Sequence, residues 1–96
     1  MKKAILIDDI DNVATVTSKV DLGEKLEILD TDGYVSKVIT SLEAIHFGHK
    51  IAIRDFPKGD NVMKYGNIIG VSSSNIKPGE WVHVHNLISS IRSEDP

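Results

Sequence analysis

Two segments of the chain follow one pattern. DFPKGDNV from Asp55 and NIKPGEWV from Asn75 each run Asp or Asn, an apolar residue, two intervening residues, Gly, an acidic residue, any residue and Val. VDLGEKL repeats the end of it with Gly23, Glu24 and Leu26. A glycine at a fixed place supplies the positive φ of a tight turn, and the apolar run after it resumes extended structure. A chain punctuated this often has room only for short strands. KAILID, NVATVTSKV, EKLEILD, VSKVI, HKIAIRDF, IIGVSSSNI and EWVHVHNL all read as such strands. Two segments read less simply. PKGDNVMKYGN starts with a proline suited to a first helical turn and ends at Gly66, predicting a turn or a short helix. ITSLEAIHFGH has an ambiguous period that suits one helical turn or an extended crossover.

At 96 residues the chain is expected to form a single domain over residues 1–96, large enough for its own core. Hydrophobic residues at 41% and charged ones at 26% are ordinary globular usage, which excludes a disordered or collagen-like chain. A net charge of −3 and an aromatic content of 5% argue against nucleic-acid binding, which needs phosphate-neutralising cations or stacking platforms. The absence of cysteine excludes disulfides, thiolate metal sites and a cysteine nucleophile, and fits a cytoplasmic protein. Asp8 and Asp9 interrupt the apolar run of MKKAILIDDIDNV too early for a secretory signal, and no apolar stretch is long enough to span a membrane.

The residues with chemistry are mostly histidines. In WVHVHNL, strand alternation would set His83 and His85 on one face, with Cβ atoms about 7 Å apart, and Val82 and Val84 on the core face. Two histidines so spaced can reach one metal ion, zinc, iron or manganese by ligand type, but a third ligand must come from elsewhere. Polar packing, substrate hydrogen bonding and acid–base chemistry are the alternatives. His46 and His49 form a second pair around HFGH. Lys64 and Tyr65 precede Gly66 in KYG, an ammonium and a phenol whose plain reading from composition is a surface lysine and a half-buried tyrosine ending a helical turn. DIDN lacks the glycine and distal glutamate of a calcium loop and reads as a solvated acidic turn. SSSN reads as the polar face of a strand.

Taken together, GHKIAIRDFPKGDNVMKYGNIIG and IKPGEWVHVHNL resemble the amino-terminal SAF module of the altronate and galactarate dehydratase family, most closely over residues 48–86. DNVATV also resembles that family's start. The resemblance implies a mostly β fold, the β-clip of short strands, here with one short helical segment. It implies a part in sugar-acid dehydration, or in the related elimination of sulfite from sulfolactate, completed by a large catalytic subunit or region that this chain lacks. The chain stops at SIRSEDP soon after HVHN, which favours the small-subunit form, although a piece of a longer enzyme would read the same. By position the resemblance points to His49, His83 and His85 as catalytic, Lys64, Tyr65 and Asn86 as substrate-binding, and His83 and His85 as ligands of a divalent metal such as iron in the assembled enzyme. His46 lies outside the recurring GHK pattern. A stand-alone carbohydrate-binding or assembly module is the reading from a different class.

Overall fold

The structure, a computed structural model, describes residues 1–89 as nine strands and contains no helix among them. Residues 90–96, the end of the expected domain, lie outside the described residues. The strands are β1 (Lys2–Ile5), β2 (Val13–Val16), β3 (Lys25–Leu29), β4 (Val35–Thr40), β5 (Lys50–Ala52), β6 (Asn61–Lys64), β7 (Asn67–Ser72), β8 (Trp81–Val82) and β9 (Leu87–Ser89). Six of them form one sheet in the order β4-β3-β1-β2-β5-β8, and three form a second in the order β6-β7-β9. Only β1 and β3 pair in parallel. The fold is mostly β, as a β-clip requires.

The antiparallel pair β2 and β5 separates two cores. Val13 stands opposite Ala52, and Ala14 opposite Ile51. Because successive side chains point to opposite faces, Val13 and Ala52 go to one cluster with Phe56, Val62, Ile76 and Val82, while Ala14 and Ile51 go to the other with Val16, Leu26, Ile28 and Ile45. Each fully buried branched side chain contributes about 1.5–3 kcal/mol of transfer free energy, so a two-sided wall of short strands supports both cores.

The glycine turns hold this arrangement together, and there are four of them. Beyond the three copies read from sequence, the segment from Ile45 to Lys50 forms the same turn, with Gly48 at φ 82° and a hydrogen bond from His49 N to His46 O of 3.0 Å. In each copy the glycine N–H donates to the carbonyl of a residue in another segment, and that residue's N–H donates back to the carbonyl after the glycine. Gly48 and His49 clasp Val16 in this way, Gly23 and Glu24 clasp Ser41, Gly59 and Asp60 clasp Ser72, and Gly79 and Glu80 clasp Ala52. The turns work in two reciprocal pairs, joined by the bridges Val20–Ile45 and Phe56–Ile76. The fourth copy escaped the sequence pattern because His49 stands where the others have Glu24, Asp60 and Glu80.

Two local expectations are corrected. PKGDNVMKYGN forms no helix: Pro57 to Asp60 is one of the clasping turns, and β6 and β7 then make a hairpin around Tyr65 and Gly66. Both of these residues have positive φ, 56° and 74°, the pattern of a two-residue type I′ turn whose twist matches the flanking strands. WVHVHNL is not one strand either. Extended structure stops at Val82, and His83 to Asn86 is a turn. Val82 is buried as expected, but Val84 is 81% exposed and faces away from the core.

Candidate active site

Asn86 shapes the end of the HVHN segment. Its N–H donates to His83 O at 3.0 Å, its side-chain Oδ1 accepts from His83 N at 2.9 Å, and its Nδ2 donates to Trp81 O at 2.9 Å. At 4% exposure the residue is buried, and both ends of its amide bond the backbone. Its observed work is to fold the turn that carries His83 and His85. The pair still ends together, although a turn and not strand alternation is the reason. His83 stacks on Trp81 with ring centroids 5.1 Å apart and planes 12° from parallel, and the His85 ring lies 4.9 Å from the same indole.

The glycine turn at Gly48 delivers the other two histidines to the same indole. His49 Nδ1 accepts a hydrogen bond from Trp81 Nε1 at 3.1 Å, and its ring lies 4.9 Å from that of His83. His46, set aside by the motif, packs edge-on against His49 at 5.5 Å and Trp81 at 6.4 Å. Four imidazoles from two segments distant in sequence therefore surround one tryptophan.

Lysines complete the polar surroundings. Lys50 follows His49 on β5, and burial first, then the charge of Lys64, holds its ammonium below the ordinary lysine range. His83 is likewise pushed below the ordinary imidazole range, by desolvation first and then by His49, Lys50 and His85. Lys64 Nζ sits 4.7 Å from the centre of the Tyr65 ring, a cation–π contact that joins both members of KYG. Thr15 stands opposite Lys50 in the β2–β5 register, and its buried Oγ1 has no hydrogen-bond partner among the described residues.

The KYG turn is fixed from an unexpected quarter. Asp11, read from sequence as part of a solvated acidic turn, is fully buried. One of its carboxylate oxygens accepts from Gly66 N at 2.8 Å, and the other accepts from Tyr65 N at 2.9 Å and Asp8 N at 3.2 Å. Backbone donors explain its burial: a carboxylate deprived of water needs such partners. Sequence reasoning missed Asp11, Thr15, Lys50 and Trp81. Lys50 was within reach as the last letter of GHK, and Trp81 as the chain's one indole beside HVH. Nothing local marked Asp11, whose partners at Tyr65 and Gly66 are remote in sequence.

Chemically, imidazoles can accept or donate protons, and the ammonium groups of Lys50 and Lys64 are of the kind that suits a carboxylate. Among the described residues no group of three or more His, Asp or Glu is placed to hold a metal ion.

Comparison with known proteins shows which family the chain is similar to. The altronate/galactarate dehydratase SAF domain matches residues 2–90. Altronate dehydratase of Bacillus subtilis (strain 168) is 36% identical over 91 residues, 95% of this chain and 17% of that protein. Altronate dehydratase of Escherichia coli (strain K12) is 35% identical over the same shares of the two chains. The alpha subunit of (2R)-sulfolactate sulfo-lyase from Chromohalobacter salexigens is 35% identical over 86 residues, 85% of this chain and 89% of that subunit. The chain thus spans a small part of the dehydratases and most of the length of the sulfo-lyase subunit.

Proposed function

The chain belongs to the altronate/galactarate dehydratase SAF-domain family, and from that premise we propose that it is the small subunit or accessory module of a lyase acting on a hydroxylated sugar acid. The observation that carries this reading is the convergence of His46, His49, His83 and His85 on Trp81. Lys50 and Lys64 would hold the substrate carboxylate, with Tyr65 orienting Lys64. A neutral His83 would take the proton from the carbon beside that carboxylate, and the electron pair left behind would form the double bond as the C–O bond of the next carbon breaks, the departing hydroxyl taking a proton from an acid of the catalytic region to leave as water. Asn86 acts on substrate only through the turn it holds. A large catalytic region supplies the remaining acid, base or metal groups. His83 and His85 are the residues this chain would lend to a divalent metal, and since the described residues make no complete ligand set, the remaining ligands would come from the catalytic region.

A second reading, elimination of sulfite from sulfolactate, draws support from the 89% coverage of the sulfo-lyase subunit. The same cations would suit a sulfonate. Among the described residues no helix is long and apolar enough to cross a membrane, and the proposed setting is the cytoplasm. Co-purification from the native cell, identification of the large partner, and assay of the complex with altronate, galactarate and sulfolactate test the proposal together. The expected result is turnover of one of these by the complex and none by the isolated chain. A chain that binds carbohydrate and recovers no lyase partner would favour the stand-alone module.

A further inference from the structure

The hydrogen bond between Trp81 and His49 has a chemical direction. An indole Nε1 carries a hydrogen and can only donate, so the His49 nitrogen 3.1 Å from it, Nδ1, must accept. A neutral imidazole that accepts at Nδ1 carries its hydrogen on Nε2. The indole is itself held in place. Trp81 N donates to Glu43 Oε2 at 3.0 Å, Trp81 O accepts from the buried Asn86 amide at 2.9 Å, and the ring is stacked on His83.

In two of the three other clasping turns the residue at this position uses its side chain differently from His49. At the same position Glu24 Oε1 accepts from Asp21 N at 2.7 Å and Glu80 Oε2 accepts from Lys77 N at 2.8 Å, each carboxylate closing its own turn. His49 makes its side-chain bond outside its turn, across to β8. The side chain at this turn position is thus directed at Trp81 rather than at its own turn.

We propose that Trp81 is a positioning residue that sets the tautomer of His49, so that His49 meets a bound hydroxy acid as a hydrogen-bond donor through Nε2 and leaves proton abstraction to another group. The choice of a hydroxy-acid oxygen as its acceptor rests on the lyase reading above; the tautomer does not. The test has two arms. Long-range proton–nitrogen NMR of the full chain at pH 8 is expected to show His49 protonated at Nε2 alone, with a scalar coupling across the hydrogen bond between Trp81 Nε1 and His49 Nδ1. In Trp81→Phe, which keeps a stacking ring and loses the donor, the coupling should vanish and His49 should become a mixture of tautomers. A hydrogen on Nδ1 in the unaltered chain, or a single Nε2–H tautomer retained in Trp81→Phe, overturns the proposal.

The second arm uses the chain assembled with its catalytic partner. His49→Gln keeps a donor near the Nε2 position but cannot act as a base, so kcat should fall by about tenfold or less, whereas His49→Ala should lose about 100-fold or more. Equal losses in the two variants would overturn the donor role. A complex without lyase activity would retire the functional reading and leave the tautomer result standing.

Discussion

Asp11 illustrates how one residue can govern a site it does not enter. Its carboxylate holds the N–H groups of Tyr65 and Gly66, and through them the turn that presents Lys64 and Tyr65. Asp11→Asn replaces one acceptor by an NH2 group facing backbone donors, and each buried donor left unpaired costs about 1–3 kcal/mol. The melting temperature should drop by several degrees or more in a thermal scan, and substrate KM in the complex should rise as Lys64 loses its place. His83 gives the chain a pH dependence. Its folded value lies below the ordinary 6.5, so the neutral form is the one the fold accommodates. Stability is therefore retained above about pH 6.5 and lost as pH falls from there through the lower folded value, because the unfolded chain takes up the proton first. Unfolding midpoints at pH 7.5 and 5.5 should differ less in His83→Gln than in the unaltered chain. At this scale the sequence exposed the histidines and Lys64 but hid Asp11 and Thr15, since burial of a polar group is decided by partners from other strands.

Among the elements, the clasping turns bear the most on stability, and they are not equally tolerant. At Gly48 an added Cβ would meet nothing within 4 Å, so Gly48→Ala carries only the penalty of positive φ, about 1–2 kcal/mol. At Gly79 the same Cβ would lie 2.3 Å from Thr40 O, a backbone atom that cannot swing away. Gly79→Ala should therefore destabilise clearly more than Gly48→Ala in parallel denaturant titrations, with a fold too weak to purify as the extreme result. Three of the four turns were legible because they keep an acidic residue after the glycine, and most strands were legible from their apolar runs. The end of β8 was not. Alternation in WVHVHNL satisfies a strand pattern, and the turn there depends on Asn86, whose amide bonds Trp81 O and His83 N. Val84→Asp should accordingly leave stability within about 0.5 kcal/mol, as exposed substitutions usually do. Val82→Asp should unfold the chain by forcing an unpaired charge into the core.

For the whole molecule, the two sheets and two cores place the histidine cluster where two turns meet, one from before β5 and one after β8. The fold class was legible from the rhythm of glycines and short apolar runs. The meeting of residues 46–50 with residues 81–85 was not, because it follows from the pairing of Lys50 with Val82 and Ile51 with Trp81, which alternation alone does not specify. Apolar side chains at the tips of these turns stay in solvent, Phe47 at 71% and Val84 at 81% exposure. Each is next in sequence to a histidine of the cluster, so a catalytic partner that closes over the histidines would cover both. If that is their use, Phe47→Glu together with Val84→Glu should leave the melting temperature of the isolated chain within a few degrees while weakening its association with the proposed catalytic partner. Burial of a charge against an apolar partner costs far more than the lost contact, so the dissociation constant should rise about 100-fold or more, corresponding to about 2.7 kcal/mol. Titration calorimetry with the co-purified partner measures this directly. Unchanged affinity in a folded double variant would place the partner elsewhere, on a face away from the histidines, and would leave this cluster open to water in the assembly.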